Sequence, residues 1–157
     1  MSLLSSVRRV LAVAAALFPA VALPQDAGIN PNRLPGIVVD DAAAKLEGTW
    51  SNSKHTKPFV GAGYIYSSGG AGQTVKFPVE VNEAGPYQVL ISYTPGTNRS
   101  TEAVVIVPTA DGPKTFVLNQ QERPAGPYCF QPLRELNLES GKHEICLLYT
   151  SPSPRDS

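Results

Sequence analysis

Two neighbouring segments of the chain alternate between apolar and polar residues with a period of two. In the first segment, apolar residues at Val75, Phe77, Val79 and Val81 are interleaved with polar residues at Lys76, Glu80 and Asn82. After a break at Gly85-Pro86, the second segment has Tyr87, Val89, Ile91 and Tyr93 on one face. A period of two is typical of strands with one face in a core, and Gly-Pro marks a turn. The two segments therefore predict adjacent β-strands.

The rest of the chain continues this pattern of short strands separated by Gly, Pro and Asn turns. We predict strands at residues 37–40, 48–51, 63–67, 73–81, 87–93, 103–108, 114–119, 130–138 and 143–147. Only residues 41–47 could hold a helical turn. Strands at spacings of about ten residues, with no long amphipathic helix, indicate an all-β fold, a β-sandwich or jelly roll.

The N-terminal residues have the layout of an export signal. A basic leader ending at Arg9 precedes an apolar run over residues 10–18, and small residues follow up to Ala22. We therefore predict a signal peptide at residues 1–22, cleaved after Ala22, and a secreted or periplasmic protein. An uncleaved anchor is the alternative, but the apolar run is shorter than the roughly 20 residues that span a bilayer. Residues 23–36, rich in Pro, Gly and Asn, are predicted to be an extended linker.

The C-terminal residues 147–157 resemble a tail that adapter DNA adds to many unrelated translated reading frames. We therefore predict a domain at residues 37–146, a non-native or disordered tail after it, and a sandwich that lacks its last strand or strands. A native disordered tail is the alternative. Loss of a core strand would make the chain unstable or prone to aggregation. In an exported protein, Cys129 and Cys146 could form a disulfide, and the sequence leaves this open.

Charge and motifs exclude several functional classes. Thirteen basic and thirteen acidic residues give a net charge of zero, and the basic residues are spread, so we expect no nucleic-acid partner and no membrane span after signal cleavage. His55 and His143 stand in unrelated segments, and no zinc or nucleotide motif is present, so we expect no enzyme activity, no metal and no cofactor. Asp40-Asp41 is better explained as a solvated turn than as a calcium site.

Aromatic and amide residues are the more suggestive set. Sugars are bound by aromatic rings that stack on their C–H faces and by polar side chains that bind their hydroxyls. Phe77, Tyr87 and Tyr93 are in phase with the core face and are predicted to pack there. The tentative ligand contacts are Trp50, Tyr64, Asn98 and Arg99, which lie near strand ends or on a loop. Arg99 could pair with an acidic sugar, or the Asn98-Arg99 pair could tie its loop to neighbouring backbone.

With these features together, the chain resembles the golvesin and xanthan-lyase carbohydrate-binding-like domain. The matching segments occur in the family's order, at residues 37–46, 48–50, 59–64, 84–87, 93–100, 110–112 and 117–121. The resemblance implies a non-catalytic β-sandwich module of secreted bacterial proteins that binds polysaccharide. The family's closing strand is replaced here by the tail, so the resemblance implies a C-terminally truncated domain.

Two alternatives to glycan binding stay open. The domain could be a structural spacer, with no ligand of its own, in a secreted flavin-dependent oxidoreductase-like or polysaccharide-lyase protein. It could also be the leading fragment of an enzyme whose catalytic domain is fused to it or adjacent. Exposure of Trp50 and Tyr64 together would favour binding over a spacer role.

Overall fold

A computed structural model describes residues 28–68 and 70–150, together with the backbone of residues 9–11. Its ten strands are β1 (Arg9–Leu11), β2 (Lys45–Glu47), β3 (Ser51–Ser53), β4 (Tyr64–Tyr66), β5 (Gln73–Val81), β6 (Gly85–Ser92), β7 (Ala103–Val107), β8 (Lys114–Leu118), β9 (Phe130–Leu138) and β10 (Gly141–Tyr149). Three 3-10 helices span Pro31–Arg33, Asp41–Ala43 and Pro127–Cys129. In this described part of the chain there is no α-helix, and the predicted all-β sandwich is confirmed.

The strands form two larger sheets and one small one. The first sheet has the order β2-β5-β10-β7-β8, and all of its neighbouring strands are antiparallel. The second has the order β1-β6-β9; β6 and β9 are antiparallel, with a bulge between Val89 and Leu90, and β1 runs parallel to β6. Strands β3 and β4 form a separate antiparallel pair.

The core lies between the two larger sheets. It is built from one face of each of β5 to β10, because alternate residues of a strand point to opposite sides. The largest fully buried side chains are valines from β5, β6 and β7: Val75, Val81, Val89, Val105 and Val107. The predicted core positions Tyr87 and Phe77 belong to this cluster, Tyr87 buried and Phe77 half-buried. The alternating pattern therefore identified the core face correctly for Phe77 and Tyr87. Tyr93, predicted to pack with them, is half-buried and lies outside the buried core, and its hydroxyl donates to the Glu122 carbonyl at 3.2 Å.

Several predicted boundaries differ from the structure. Strands β5 and β9 have the predicted bounds, and β4, β6, β7 and β8 lie within two residues of theirs. Residues 37–40 form no strand, and the predicted strand at 48–51 overlaps β3 only at Ser51. The predicted helical turn is a single 3-10 turn, Asp41–Ala43, followed directly by β2.

The predicted linker is partly docked on the sandwich. Ile29, within the predicted linker at 23–36, is buried and forms a parallel bridge with Val60. Its backbone N–H donates to the Phe59 carbonyl and its carbonyl accepts from the Gly61 N–H, both at 2.8 Å. Only residues 23–27 of the linker, with the predicted cleavage at Ala22, lie outside the described residues. Within the described part, no helix is long and apolar enough to cross a membrane.

Strand β10 continues beyond the predicted end of the domain. It pairs with β5 as far as Tyr149, which lies opposite Gln73. Leu147 is buried in the core cluster, so residues 147–149, placed in the tail by the sequence pattern, form part of a central strand. Residues 151–157 lie outside the described residues. Cys129 and Cys146 are free thiols in this structure, so the disulfide left open by the sequence is not formed.

Candidate functional site

The first wall of the candidate site is the small β3–β4 sheet. Ser53 is paired with Tyr64, and Ser51 with Tyr66, so the two tyrosines lie on the same face of the pair. Ile65, between them, points the other way and packs against the core. Its backbone N–H donates to Asp41 Oδ2 at 2.9 Å, which ties β4 to the 3-10 turn. The alternation of β4 therefore fixes both tyrosines on the side away from the core.

The second wall is the loop that follows β6, residues 95–100. A tight turn closes when the Arg99 N–H donates to the Gly96 carbonyl at 3.0 Å. The Arg99 carbonyl accepts from Gln121 Nε2 at 3.0 Å. The loop is thus held through its backbone, which leaves the side chains of Asn98 and Arg99 for other contacts.

A buried glutamine supports this loop from behind. Gln120 is only 4% exposed; its N–H donates to the Ser100 carbonyl at 2.8 Å, and its carbonyl accepts from the Gly96 N–H at 3.3 Å. Its side-chain Oε1 accepts from the Tyr149 hydroxyl at 2.9 Å. A buried amide whose groups are bonded in this way is a rigid support. Nothing in the sequence pattern indicates that Gln120 is buried.

The two walls enclose an open pocket of about 410 Å³, called here the polar pocket. It is lined by Ser53, His55, Thr56, Tyr64, Tyr66, Pro95, Gly96, Thr97, Asn98 and Arg99. Hydroxyl, amide, imidazole and guanidinium groups surround two aromatic rings. Among these residues there is no aspartate or glutamate. Three of the four predicted contacts, Tyr64, Asn98 and Arg99, therefore share one pocket.

The hydroxyl of Tyr64 lies in a positive and hydrogen-bonded environment. Burial alone raises the pKa of Tyr64, but hydrogen bonds with Ser53 and Thr56 outweigh it, and the charge of Arg99 adds to them. The pKa is consequently below its ordinary value of 10.0. The Tyr64 ring packs against Phe59, with 6.2 Å between ring centroids. Hydrogen bonds at the hydroxyl and the contact with Phe59 therefore fix the position of the Tyr64 side chain.

Arg99 brings the positive charge to the pocket. Its side chain is half-buried, and Nη1 donates to Asn98 Oδ1 at 2.9 Å. The same charge opposes the rise in the pKa of Tyr149, which burial raises above its ordinary value. The backbone of Arg99 ties the loop to neighbouring segments, as one of the two alternatives from the sequence expects, and its side chain lines the polar pocket.

A second space, called here the inner cavity, lies behind the polar pocket between the sheets. Its volume is about 200 Å³, and half-buried apolar residues such as Phe77, Ile91, Leu133 and Ile145 line it. Tyr64, Tyr66, Asn98 and Arg99 line both spaces. These four residues therefore lie between the polar pocket and the inner cavity.

Trp50, the fourth predicted contact, lies outside the polar pocket. Its indole Nε1 donates to the Glu47 carbonyl at 2.9 Å, and its ring packs on Tyr149 at 5.9 Å between centroids. Trp50 is half-buried and lines the inner cavity. Trp50 and Tyr64 are thus both partly exposed, but only Tyr64 lines the polar pocket.

The remaining chemistry-bearing residues form no catalytic group in the described structure. No cluster of three or more His, Cys, Asp or Glu side chains that could hold a metal ion occurs among the described residues. The ring of His143 bonds the Glu139 carbonyl at 2.7 Å, far along the chain from His55 at the polar pocket. Asp40 and Asp41 are half-buried, and burial raises the pKa of each carboxyl.

Comparison with known proteins gives one family match and one structural match. The model of the Golvesin C-terminal domain matches residues 37–148, most of the chain. The chain belongs to the Golvesin C-terminal domain family. The solved structure of a xanthan lyase from Paenibacillus matches with a TM-score of 0.65 and 27% sequence identity. That match covers 75% of this chain and 11% of that chain, and no curated protein matches significantly.

These matches confirm the resemblance drawn from the sequence. The family match ends at residue 148, inside β10, so the end of the matched region agrees with the strand seen in the structure. This golvesin domain is a small part of the length of the xanthan lyase it resembles. The described residues show the sandwich and the pocket and carry no catalytic signature.

Proposed function

We propose that this golvesin domain is a non-catalytic polysaccharide-binding module of a secreted protein, and that the polar pocket binds the sugar. The observation that carries the proposal is the convergence of Tyr64, Asn98 and Arg99. They come from two segments separated by more than thirty residues and meet in one open pocket. Aromatic rings flanked by a few fixed polar groups suit a sugar ring.

The size and rigidity of the polar pocket support this function. Its volume of about 410 Å³ is within the range of about 300–1,000 Å³ typical of ligand sites. Backbone hydrogen bonds and buried Gln120 hold the loop, so little ordering entropy is lost on binding. The similarity to a xanthan lyase also supports the proposal, because a related domain occurs in a protein whose name refers to a polysaccharide.

Native gels that contain a dissolved polysaccharide test the proposal directly. We expect the 157-residue chain to migrate more slowly in xanthan, polygalacturonate or β-glucan than in a gel without polysaccharide. Tyr64→Ala and Asn98→Ala should each weaken binding at least about fivefold, the equivalent of about 1 kcal/mol. Tyr128→Ala, which removes an exposed tyrosine outside the polar pocket, is the matched control. Unaltered migration of the wild-type chain in all three gels would refute the proposal.

A spacer role is the second candidate. The packing of Trp50 on Tyr149 favours it, because a ring engaged in the fold is less available to a sugar. This role predicts no retardation in any gel. It also predicts that pocket substitutions alter only stability, which urea denaturation of the same variants measures.

A further inference from the structure

We infer that the polar pocket selects sugars that carry a carboxylate, with Arg99 as the group that binds it. This inference rests on the proposed function and adds the chemical class of the ligand. Its basis is the charge of the pocket: the Arg99 guanidinium lines it, and there is no carboxylate among the ten described lining residues.

The position of Arg99 suits recognition of a planar anion. Its backbone is fixed on both sides by the Gly96 carbonyl and Gln121, and Nη1 is oriented by Asn98 Oδ1 at 2.9 Å. A guanidinium presents further N–H groups in a flat fork that matches a carboxylate. Because Arg99 is half-buried, the attraction is screened less than at an open surface.

The neighbouring hydroxyl groups complete a site for the rest of the sugar. Ser53 and Thr56 bond the Tyr64 hydroxyl, and Thr97 lies on the opposite wall. The charge of Arg99 adds to these hydrogen bonds in lowering the pKa of Tyr64. A carboxylate beside Tyr64 would meet the same charge.

A neutral sugar would gain less from this pocket. It would leave the guanidinium partly desolvated without a charged partner, which costs free energy. A hydrogen bond to a charged group contributes more than one between neutral groups. We therefore expect a preference of at least about tenfold for the acidic form.

Titration calorimetry with matched polymers tests the inference. The probes are polygalacturonate and its carboxyl-reduced form, which keeps the linkages but lacks the charge, and dextran sulfate with dextran as a second pair. Polygalacturonate should bind at least about tenfold more tightly than its reduced form. Dextran sulfate should bind more weakly than polygalacturonate, because the single charge of a sulfate ester is spread over three oxygens, each a weaker hydrogen-bond acceptor than a carboxylate oxygen.

Variants distinguish a fitted site from general charge attraction. Arg99→Gln should remove most of the preference for polygalacturonate, and Arg99→Lys should retain only part of it because the fork is lost. Arg134→Gln, which removes an exposed arginine of β9 outside the polar pocket, should leave the affinity unchanged. Both Arg99 substitutions keep the backbone bonds of the loop, so the fold is preserved.

Each other outcome has a defined meaning. Equal affinity for both forms of polygalacturonate, or equal affinity for dextran sulfate, overturns the inference. If neither form binds while xanthan or β-glucan retards the chain in gels, the acidic preference is wrong and the proposed function stands. If nothing binds in either experiment, both are wrong.

Discussion

Substitution of Leu147 by alanine probes whether the end of β10 belongs to the core. The side chain is 8% exposed and lies opposite Val75 of β5 and Val105 of β7, both fully buried. The change removes three carbon atoms, worth about 0.8 kcal/mol each, or about 2.4 kcal/mol in all. A residual void raises the cost, so we expect the free energy of unfolding to fall by about 2–4 kcal/mol.

The neighbouring leucine is a matched control. Leu148 has the same side chain, but it points to the opposite face of β10 and is only half-buried. Leu148→Ala should therefore cost less than about half as much. Because net stabilities of domains are about 5–15 kcal/mol, the difference between the two variants is large enough to measure.

Urea denaturation, followed by the fluorescence of the one tryptophan, gives both values. Trp50 packs on Tyr149, two residues from Leu147, so its emission reports on this part of the fold. The slope with urea should be the same in all three proteins, which shows that only stability has changed. Equal costs below about 0.5 kcal/mol for both variants would refute the packing of residues 147–149.

The remaining predictions concern the loop at Gly61 and the charges of the site. Gly61→Ala should destabilise the domain by about 1–3 kcal/mol in thermal melts, because φ is +72° and a Cβ would lie 2.0 Å from Asp40 Oδ2. Burial raises the pKa of Asp40, so this group contributes stability below its unfolded pKa that is lost as pH rises through the folded value. Asp40→Asn should therefore stabilise the domain at pH 7, by less than about 1 kcal/mol after screening, and this gain should vanish as pH falls towards 3.8. Arg99→Gln should raise the pKa of Tyr64, measured by ¹³C NMR of labelled tyrosine.

For each of these predictions, one result would contradict the reasoning. Unchanged melting of the Gly61 variant would show that Asp40 moves aside without cost. Stabilisation by Asp40→Asn that is equal at pH 4 and pH 7 would contradict the role of desolvation. A Tyr64 pKa that stays constant in Arg99→Gln would mean that the guanidinium charge does not reach the hydroxyl.

The sequence predicted the strands whose own side chains form the core. Strands β5 and β9 were located because their buried positions alternate along each strand. Strands β2 and β3 were missed because Lys45–Glu47 is exposed throughout and Ser51–Ser53 contains no apolar residue. Their strand conformation depends on pairing with strands that are distant in the sequence, so no local pattern predicts it. The end of β10 was missed for another reason: residues 147–157 resemble an adapter-derived tail, whereas residues 147–149 pair with β5 and β7 in the structure.

The predicted contacts that share the polar pocket are those with a local signal. Tyr64, Asn98 and Arg99 stand at a strand or on the loop after one, where binding residues commonly occur. Trp50 was grouped with them because its partner, Tyr149, is 99 positions away and could not be inferred. Ser53, His55 and Thr56 have no distinguishing pattern, and only the pairing of β3 with β4 brings them to the pocket.

The most direct test of the central claim is an NMR titration of the ¹⁵N-labelled 157-residue chain with xanthan oligosaccharides and with trigalacturonate. If the polar pocket is the binding site, amide shifts will concentrate at residues 53–56, 64–66 and 95–99 and will saturate with at least one of the two ligands. Shifts confined to another face of the sandwich, or no shift with either ligand at millimolar concentration, would contradict the account.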